Sequence, residues 1–366
     1  MKVLFITNIP SPYRIDFFNL LGQYVDLTVL FEARRASGIQ FNWNDNDISS
    51  FKPIFLKNGY INERKIDFSI NKYIAEDIYD YIFITNYSYF TELFAVLSLA
   101  IRKRTYYMEL DGALLNTKES RFKYILKKYI LMHADAYFSP SETTDLFLQN
   151  YGVEKNRIVR YPFSSLSKSQ IAQKALSRKE KINLRYELDI SYEYMVLAVG
   201  QFIHRKGFDI LLEVAKDLDA SIGVYFVGGK PTQEYLEYVN SNNLINVHFL
   251  GFKKTEELRK YYQAADIFVL PTREDVWGLV INEAMANGLP IITTIKCGAG
   301  KELVKNGVNG RLIQPESTQE LKSSILSMLN NQDKLTRMGE ESLRIISKYT
   351  IEGMVEAHIG FLMRHN

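Results

Sequence analysis

Short β-rich apolar runs alternate with helical patterns along the whole chain, and this alternation sets the class of fold available to it. In the first half the apolar runs fall at residues 3–7, 27–31, 54–56, 81–85, 105–109 and 136–139. Each is rich in Val, Ile, Tyr or Phe and ends at a polar or turn-forming residue, as strands do. Helical patterns lie between them at 13–23, 89–102, 122–133 and 141–151, the last with Ser141 as its cap. A charged, polar stretch at 168–187 follows, which reads as a linker or connecting helix. The pattern then restarts, with strands expected at 195–200, 222–227, 247–251, 267–271, 290–293 and 310–313. Strands alternating with helices call for parallel sheets, because parallel strands need crossover connections. The sequence therefore predicts an α/β protein with two doubly wound, Rossmann-like domains. Their expected bounds are 1–167 and 188–348, with a final helical segment at 349–366.

A length of 366 residues suits two cores, and 46% hydrophobic with 24% charged residues is ordinary for a folded globular chain. The lone Cys297 excludes an internal disulfide and fits a reducing compartment. The apolar start at 3–6 is too short for a signal peptide, and the run at 93–101 is too short for a bilayer span. These features predict a cytoplasmic protein, at most peripheral on a membrane face. The five histidines are scattered without HxH, HExxH or CxxC spacing, so no metal is expected. GxGxxG and Walker A motifs are missing too, which argues against a nicotinamide, flavin or P-loop enzyme. Nothing points to nucleic acid. Residues 101–128 hold eight basic residues (Arg102, Lys103, Arg104, Lys118, Arg121, Lys123, Lys127 and Lys128) against three acidic ones, with aromatics interleaved. This segment suits an anionic membrane or acidic acceptor; a solvated helix face is the plainer reading.

The richest stretch for chemistry runs from Pro271 to Gly288. A strand end, an acidic loop and a helix start near Gly278 follow one another there. First-turn amides at Gly278, Leu279 and Val280 suit phosphate oxygens, and glycine lets them approach closely. Glu283, on the same helix, can accept bonds from two ribose hydroxyls, and Asp275 stands in the loop before it. Both acids are equally compatible with merely favouring a helix N-terminus. Upstream, Arg205 and Lys206 are adjacent cations in a glycine-flanked loop after a strand. They can neutralise a departing diphosphate or can simply be solvated. Small residues at 297–300 form a turn whose amides, Gly298 among them, can reach a phosphate or sugar, or can serve the turn alone. Cys297 is read as a small buried residue. In the first half, Tyr13 and Arg14 are the candidate acceptor contacts, although Arg14 can instead pair with Asp16. Glu109 and Asp111 place two carboxylates at a strand end, where they can orient a hydroxyl or share a proton; capping by Asp111 is the alternative.

The stretch 275–290, the turn at 298–300 and the upstream Gly200…Arg205-Lys206-Gly207 loop resemble family 4 of the retaining glycosyltransferases, of the bacterial surface-polysaccharide type. The first half resembles it more loosely, through its architecture and its Pro-Ser-Pro-Tyr-Arg loop. That resemblance implies the GT-B fold, two Rossmann-like domains facing across a cleft, with a final helix crossing back to the first domain. It implies that Glu283 holds the donor ribose, Asp275 touches the donor sugar and Lys206 binds the pyrophosphate. No metal is implied. Two departures stand out: the family's usual glutamate is Asp275 here, and a histidine many relatives carry near 109–112 is missing, leaving Glu109 or Asp111 to substitute. The expected reaction moves a sugar from a nucleoside-diphosphate sugar, UDP before GDP, to a saccharide or lipid-linked acceptor in surface polysaccharide synthesis. A nucleotide-sugar epimerase and a non-catalytic nucleotide-sugar binder are the alternatives.

Overall fold

A computed structural model describes residues 1–36, 47–75, 77–85, 87–115 and 119–365. Lys118, one of the basic residues of the 101–128 segment, lies outside the described residues. The chain forms two compact units, Met1–Ser165 with Thr350–Asn366, and Leu166–Tyr349.

The first unit is built on β1 (Lys2–Thr7), β2 (Asp26–Arg35), β3 (Lys52–Tyr60), β4 (Tyr81–Ile84), β5 (Tyr107–Glu109), β6 (Ala136–Ser139) and β7 (Ile158–Arg160). They form one parallel sheet in the order β3-β2-β1-β4-β5-β6-β7. The period-two alternation of its strands sorts side chains onto two faces. Leu4, Ile6, Ile82 and Ile84 join one aliphatic core with Val96 and Leu99. Phe5 and Phe83 point the other way and stack at 4.5 Å, next to Phe17 and Phe18 of α1 (Pro12–Leu21). Pro12 opens α1, where its missing N–H costs nothing. The last helix of the chain, named α14 below (Ile351–Arg364), packs on this aromatic side, with Phe361 edge-on to Tyr107 and Phe138. Between them lie α2 (Asn71–Ile74), α3 (Phe90–Ile101), α4 (Arg121–Leu131) and α5 (Glu142–Asn150). Ser141 caps α5, accepting from the Thr144 amide at 3.1 Å, as its position in sequence predicts. The strand β7 escaped the sequence reading: three partly exposed residues at a sheet edge carry too little hydrophobic signal.

The second unit carries β8 (Tyr194–Val199), β9 (Ile222–Val227), β10 (Val247–Phe249), β11 (Ile267–Leu270), β12 (Ile291–Thr294) and β13 (Gly310–Ile313), parallel in the order β10-β9-β8-β11-β12-β13. Its helices are α6 (Arg178–Glu187), α7 (Phe208–Ala215), α8 (Gln233–Ser241), α9 (Thr255–Ala264), α10 (Leu279–Ala286), α11 (Gly298–Leu303), α12 (Thr318–Leu329) and α13 (Gln332–Ile346). The segment at 168–187 differs from a free linker. It belongs to this unit, and α6 starts with a reciprocal Ser177–Glu180 capping box and buries Lys181 and Arg185. Arg185 donates to the Ala264 carbonyl at 2.8 Å and pairs with buried Asp266, so charge that looked solvated in sequence fixes α6 to the sheet.

Each strand order reverses once, between β1 and β4 in the first unit and between β8 and β11 in the second. Ligands of such sheets bind beyond the carboxyl ends of the strands at these switch points. The sequence motifs fall at those ends.

Candidate active site

In the second unit the loops leaving β8 and β11 are joined by hydrogen bonds. Thr272 Oγ1 and the Arg273 amide both donate to the Arg205 carbonyl, at 2.7 and 2.9 Å. Gly207 takes a left-handed φ of 68°, and a Cβ there would lie 2.1 Å from the Pro271 carbonyl oxygen. Only glycine permits that contact between the loops. The result brings both cations onto one carboxylate: Lys206 Nζ stands 2.7 Å from Asp275 Oδ2 and an Arg205 guanidinium nitrogen 3.0 Å from Oδ1. Asp275 is 6% exposed and the Lys206 side chain 12%, so that pair is far less screened than a surface pair, while the Arg205 side chain stays exposed.

Asp275 opens a three-residue passage to α10. Its amide donates to the Lys296 carbonyl at 2.9 Å, and its own carbonyl accepts from the Gly298 amide at 2.9 Å. The Ala299 amide donates to the Trp277 carbonyl at 2.8 Å. The turn at 297–300 therefore buttresses the acidic loop. The expectation that the Gly298 amide reaches a phosphate or sugar is corrected on this point, because that N–H is already spent. Cys297 is fully buried, donates to the Trp277 carbonyl, and burial pushes its thiol up to about 12, so it is no nucleophile.

Gly278 caps α10 in a left-handed conformation, φ 98°. The first amides of a helix have no partner within it, so Leu279 and Val280 present N–H groups at the positive end of the helix dipole. One turn on, Glu283 accepts from the Tyr262 hydroxyl at 2.9 Å. Burial raises the Glu283 carboxyl, while Tyr262 and the Lys206 charge oppose that rise. Lys206 thus acts electrostatically on both acids of the motif, Asp275 and Glu283. Tyr262 was missed by the sequence reading; its position on α9, remote from the motif, gave no signal.

The first unit gathers its candidates at the carboxyl end of β5, but their roles change. Arg14 is 2% exposed and ion-paired with both Glu109 and Asp111, not with Asp16. Its guanidinium is enclosed by protein carboxylates, which corrects its reading as an acceptor contact. Tyr13 donates its hydroxyl to Asp111 at 3.0 Å, so it serves the same cluster. Glu109 is 1% exposed and its second oxygen meets His358 Nε2 at 2.7 Å, leaving it shut off from substrate. Its reading as a catalytic acid gives way to a structural one. The two carboxylates share a guanidinium rather than a proton. Burial alone would raise the Glu109 carboxyl; Arg14 and His358 outweigh it and hold it down to about 2. Of Arg14, Glu109, Asp111 and His358, Asp111 alone keeps an open face, with 36% of its side chain exposed. Burial raises its carboxyl and Glu109 adds to that, against the lowering charge of Arg14.

Residues 181–344 match the family described as "Glycosyl transferases group 1". The chain is 33% identical over 160 residues to an uncharacterized glycosyltransferase of Methanocaldococcus jannaschii, covering 43% of this chain and 45% of that protein. It spans about half the length of the first curated relatives it matches. Among solved structures, the Anabaena protein HepE in complex with UDP superposes with a TM-score of 0.80 at 18% identity, covering 100% of both chains. A sucrose-phosphate synthase from Thermosynechococcus elongatus gives 0.78 at 18% identity, covering 100% of this chain and 99% of that one. At such identity these structures establish the fold, two parallel Rossmann-like α/β units of the GT-B type, from end to end. The cation pair, the two acids seven residues apart and the match to the group 1 glycosyl transferases all fall in one segment, residues 181–344, somewhat less than half of the chain.

Proposed function

We propose that this protein is a retaining glycosyltransferase that takes a sugar from a nucleoside-diphosphate sugar, UDP-sugar preferred, without a metal ion. The observation that carries this reading is the convergence of Arg205, Lys206, Asp275 and the N-terminus of α10 at the β8/β11 switch point. The diphosphate would lie against the Leu279 and Val280 amides and draw Arg205 and Lys206 from Asp275. Two cations on a departing diphosphate supply charge stabilisation where it develops, in place of a metal. Glu283, held by Tyr262, accepts from the ribose hydroxyls. Asp275, released from its cations, faces the donor sugar. Within the first unit, Asp111 is the acid open to an acceptor hydroxyl. Titration with UDP, GDP, ADP and dTDP in EDTA tests the donor half. UDP is expected to bind saturably and to lose most of its affinity in folded Lys206→Ala and Glu283→Ala proteins. Binding by none of the four nucleotides sinks the reading.

The acceptor reading, a saccharide or lipid-linked chain at an anionic membrane face, rests on α4. Among the described residues no helix is long and apolar enough to cross a membrane. Yet α4 turns Phe122, Ile125, Leu126 and Tyr129 outward, Phe122 76% exposed, and Met132 just past its end is exposed as well. Arg121 and Lys123 flank them, also exposed. Such a face, apolar in its centre and basic at its rim, matches an acidic lipid surface. Flotation with vesicles rich in phosphatidylglycerol is expected to carry the protein upward, and Phe122→Ser with Ile125→Ser to leave it at the bottom. Equal flotation of the double variant removes α4 as the contact.

A further inference from the structure

The last helix places one side chain where the first unit's chemistry is set. His358 of α14 is fully buried in an aromatic cage, stacked on Phe138 at 4.3 Å with Phe5, Phe17, Phe83 and Tyr161 around it. Its Nδ1 meets the Met354 carbonyl at 2.8 Å and its Nε2 meets Glu109 at 2.7 Å. A carbonyl oxygen only accepts, and a carboxylate already paired with a guanidinium only accepts. Two acceptors therefore face the two ring nitrogens, an arrangement that is satisfied with a hydrogen on each. Arg14 and His358 thus face the two carboxylates of Glu109 and Asp111 in one chain of contacts that is open to solvent at Asp111.

We propose that His358 is a positioning residue for Asp111, acting through Glu109 and Arg14. With His358 charged, Glu109 is neutralised from behind and Arg14 is left to hold Asp111 ionised, one oxygen on the guanidinium and the other on Tyr13. Without that charge, the full negative charge of Glu109 falls on its neighbours. Like charge disfavours ionisation of Asp111, and Arg14 is drawn toward Glu109. The groups facing Asp111 and its partners are Tyr13 and Arg14 from α1, Glu109 from β5, Tyr161 beyond β7 and His358 from α14. No other charged side chain enters the argument. This inference rests on the reading of Asp111 as the group that receives the acceptor.

The test replaces His358 by Gln, which keeps one donor for Glu109 but no charge, and follows the Asp111 carboxyl by carbon NMR as pH falls. Its midpoint is expected to rise by about one pH unit, the size of a nearby uncompensated charge, while UDP affinity at the second unit stays unchanged. The acid limb of kcat should move with it, where turnover is measurable. A midpoint that stays put in folded His358→Gln overturns the proposal, whatever the activity. Absent turnover in the wild type sinks the function assigned to Asp111 but leaves the midpoint shift to be read. If His358→Gln does not fold, nitrogen NMR of the wild type decides: hydrogen on both ring nitrogens supports the relay, and one bare nitrogen overturns it.

Discussion

Asp275→Asn is expected to bind UDP more tightly than the wild type and to transfer sugar far more slowly. In the free protein both Arg205 and Lys206 are committed to the Asp275 carboxylate. An arriving diphosphate must compete with that carboxylate for the same two charges. At ~4 Å and an effective dielectric of ~20, one opposite-charge contact has a Coulomb term of roughly 4 kcal/mol before desolvation. Retaining about a third of one such term as net competition corresponds to roughly tenfold in affinity. Asparagine keeps the shape of the site but surrenders the charge and one of the two acceptor oxygens, so the cations stand ready for phosphate. The same change removes the carboxylate proposed to face the sugar, and loss of one such stabilising group costs about 10²–10³ in kcat. Calorimetry with UDP and steady-state kinetics on one preparation check both signs. Weaker UDP binding by a folded Asp275→Asn protein would mean that Asp275 organises the cations for the diphosphate instead of competing for them.

Arg14→Met should be the most destabilising single change in the first unit. The side chain is of similar length and apolar, yet it leaves Glu109 and Asp111 together without their shared guanidinium. Breaking a buried ion pair by removing one partner typically costs about 3–5 kcal/mol, or a fall of roughly 10 °C in melting temperature for units of this size. The sign of the pH dependence follows from Glu109. Its folded value of about 2 lies below its ordinary value of 4.5. The stability it contributes is therefore complete above about 4.5 and is lost as pH falls through about 2. The gap between wild type and Arg14→Met is accordingly widest near neutrality and narrows in acid. Thermal melts at several pH values read this directly. A gap that stays constant across the acid range would assign the loss to packing rather than charge.

The second unit's cluster was legible in sequence because its parts are local. Arg205-Lys206, Asp275, Gly278 and Glu283 each follow or open an element whose apolar pattern fixes where it ends, and the switch-point rule brings those ends together. The first unit's cluster was not legible, because its contacts are made over long separations. Arg14, Glu109 and His358 meet across more than 90 and almost 250 residues. Nothing in the spacing of Arg14 says that its partners are Glu109 and Asp111 rather than the neighbouring Asp16. His358 did leave a trace, since it sits four residues after Met354 and three before Phe361, on the buried stripe of α14. A histidine inside such a stripe must find polar partners. Gly298 misled for the opposite reason: a small residue next to a phosphate-binding loop can serve the ligand or the loop, and here it serves the loop.

The first unit is discontinuous, since its closing helix follows the whole of the second unit in sequence. Its β-strands and α1 leave the ribosome early, with Glu109 and Arg14 among their residues, while the imidazole that faces Glu109 is made some 250 residues later. Domains ordinarily fold in the order of their synthesis. This protein cannot finish in that order: the second unit, continuous in sequence, can complete itself while the first still lacks α14. Until then the aromatic face of Phe5, Phe17, Phe83 and Phe138 has no cover from that helix. Synthesis of α14 thus closes the core of the unit that was begun first.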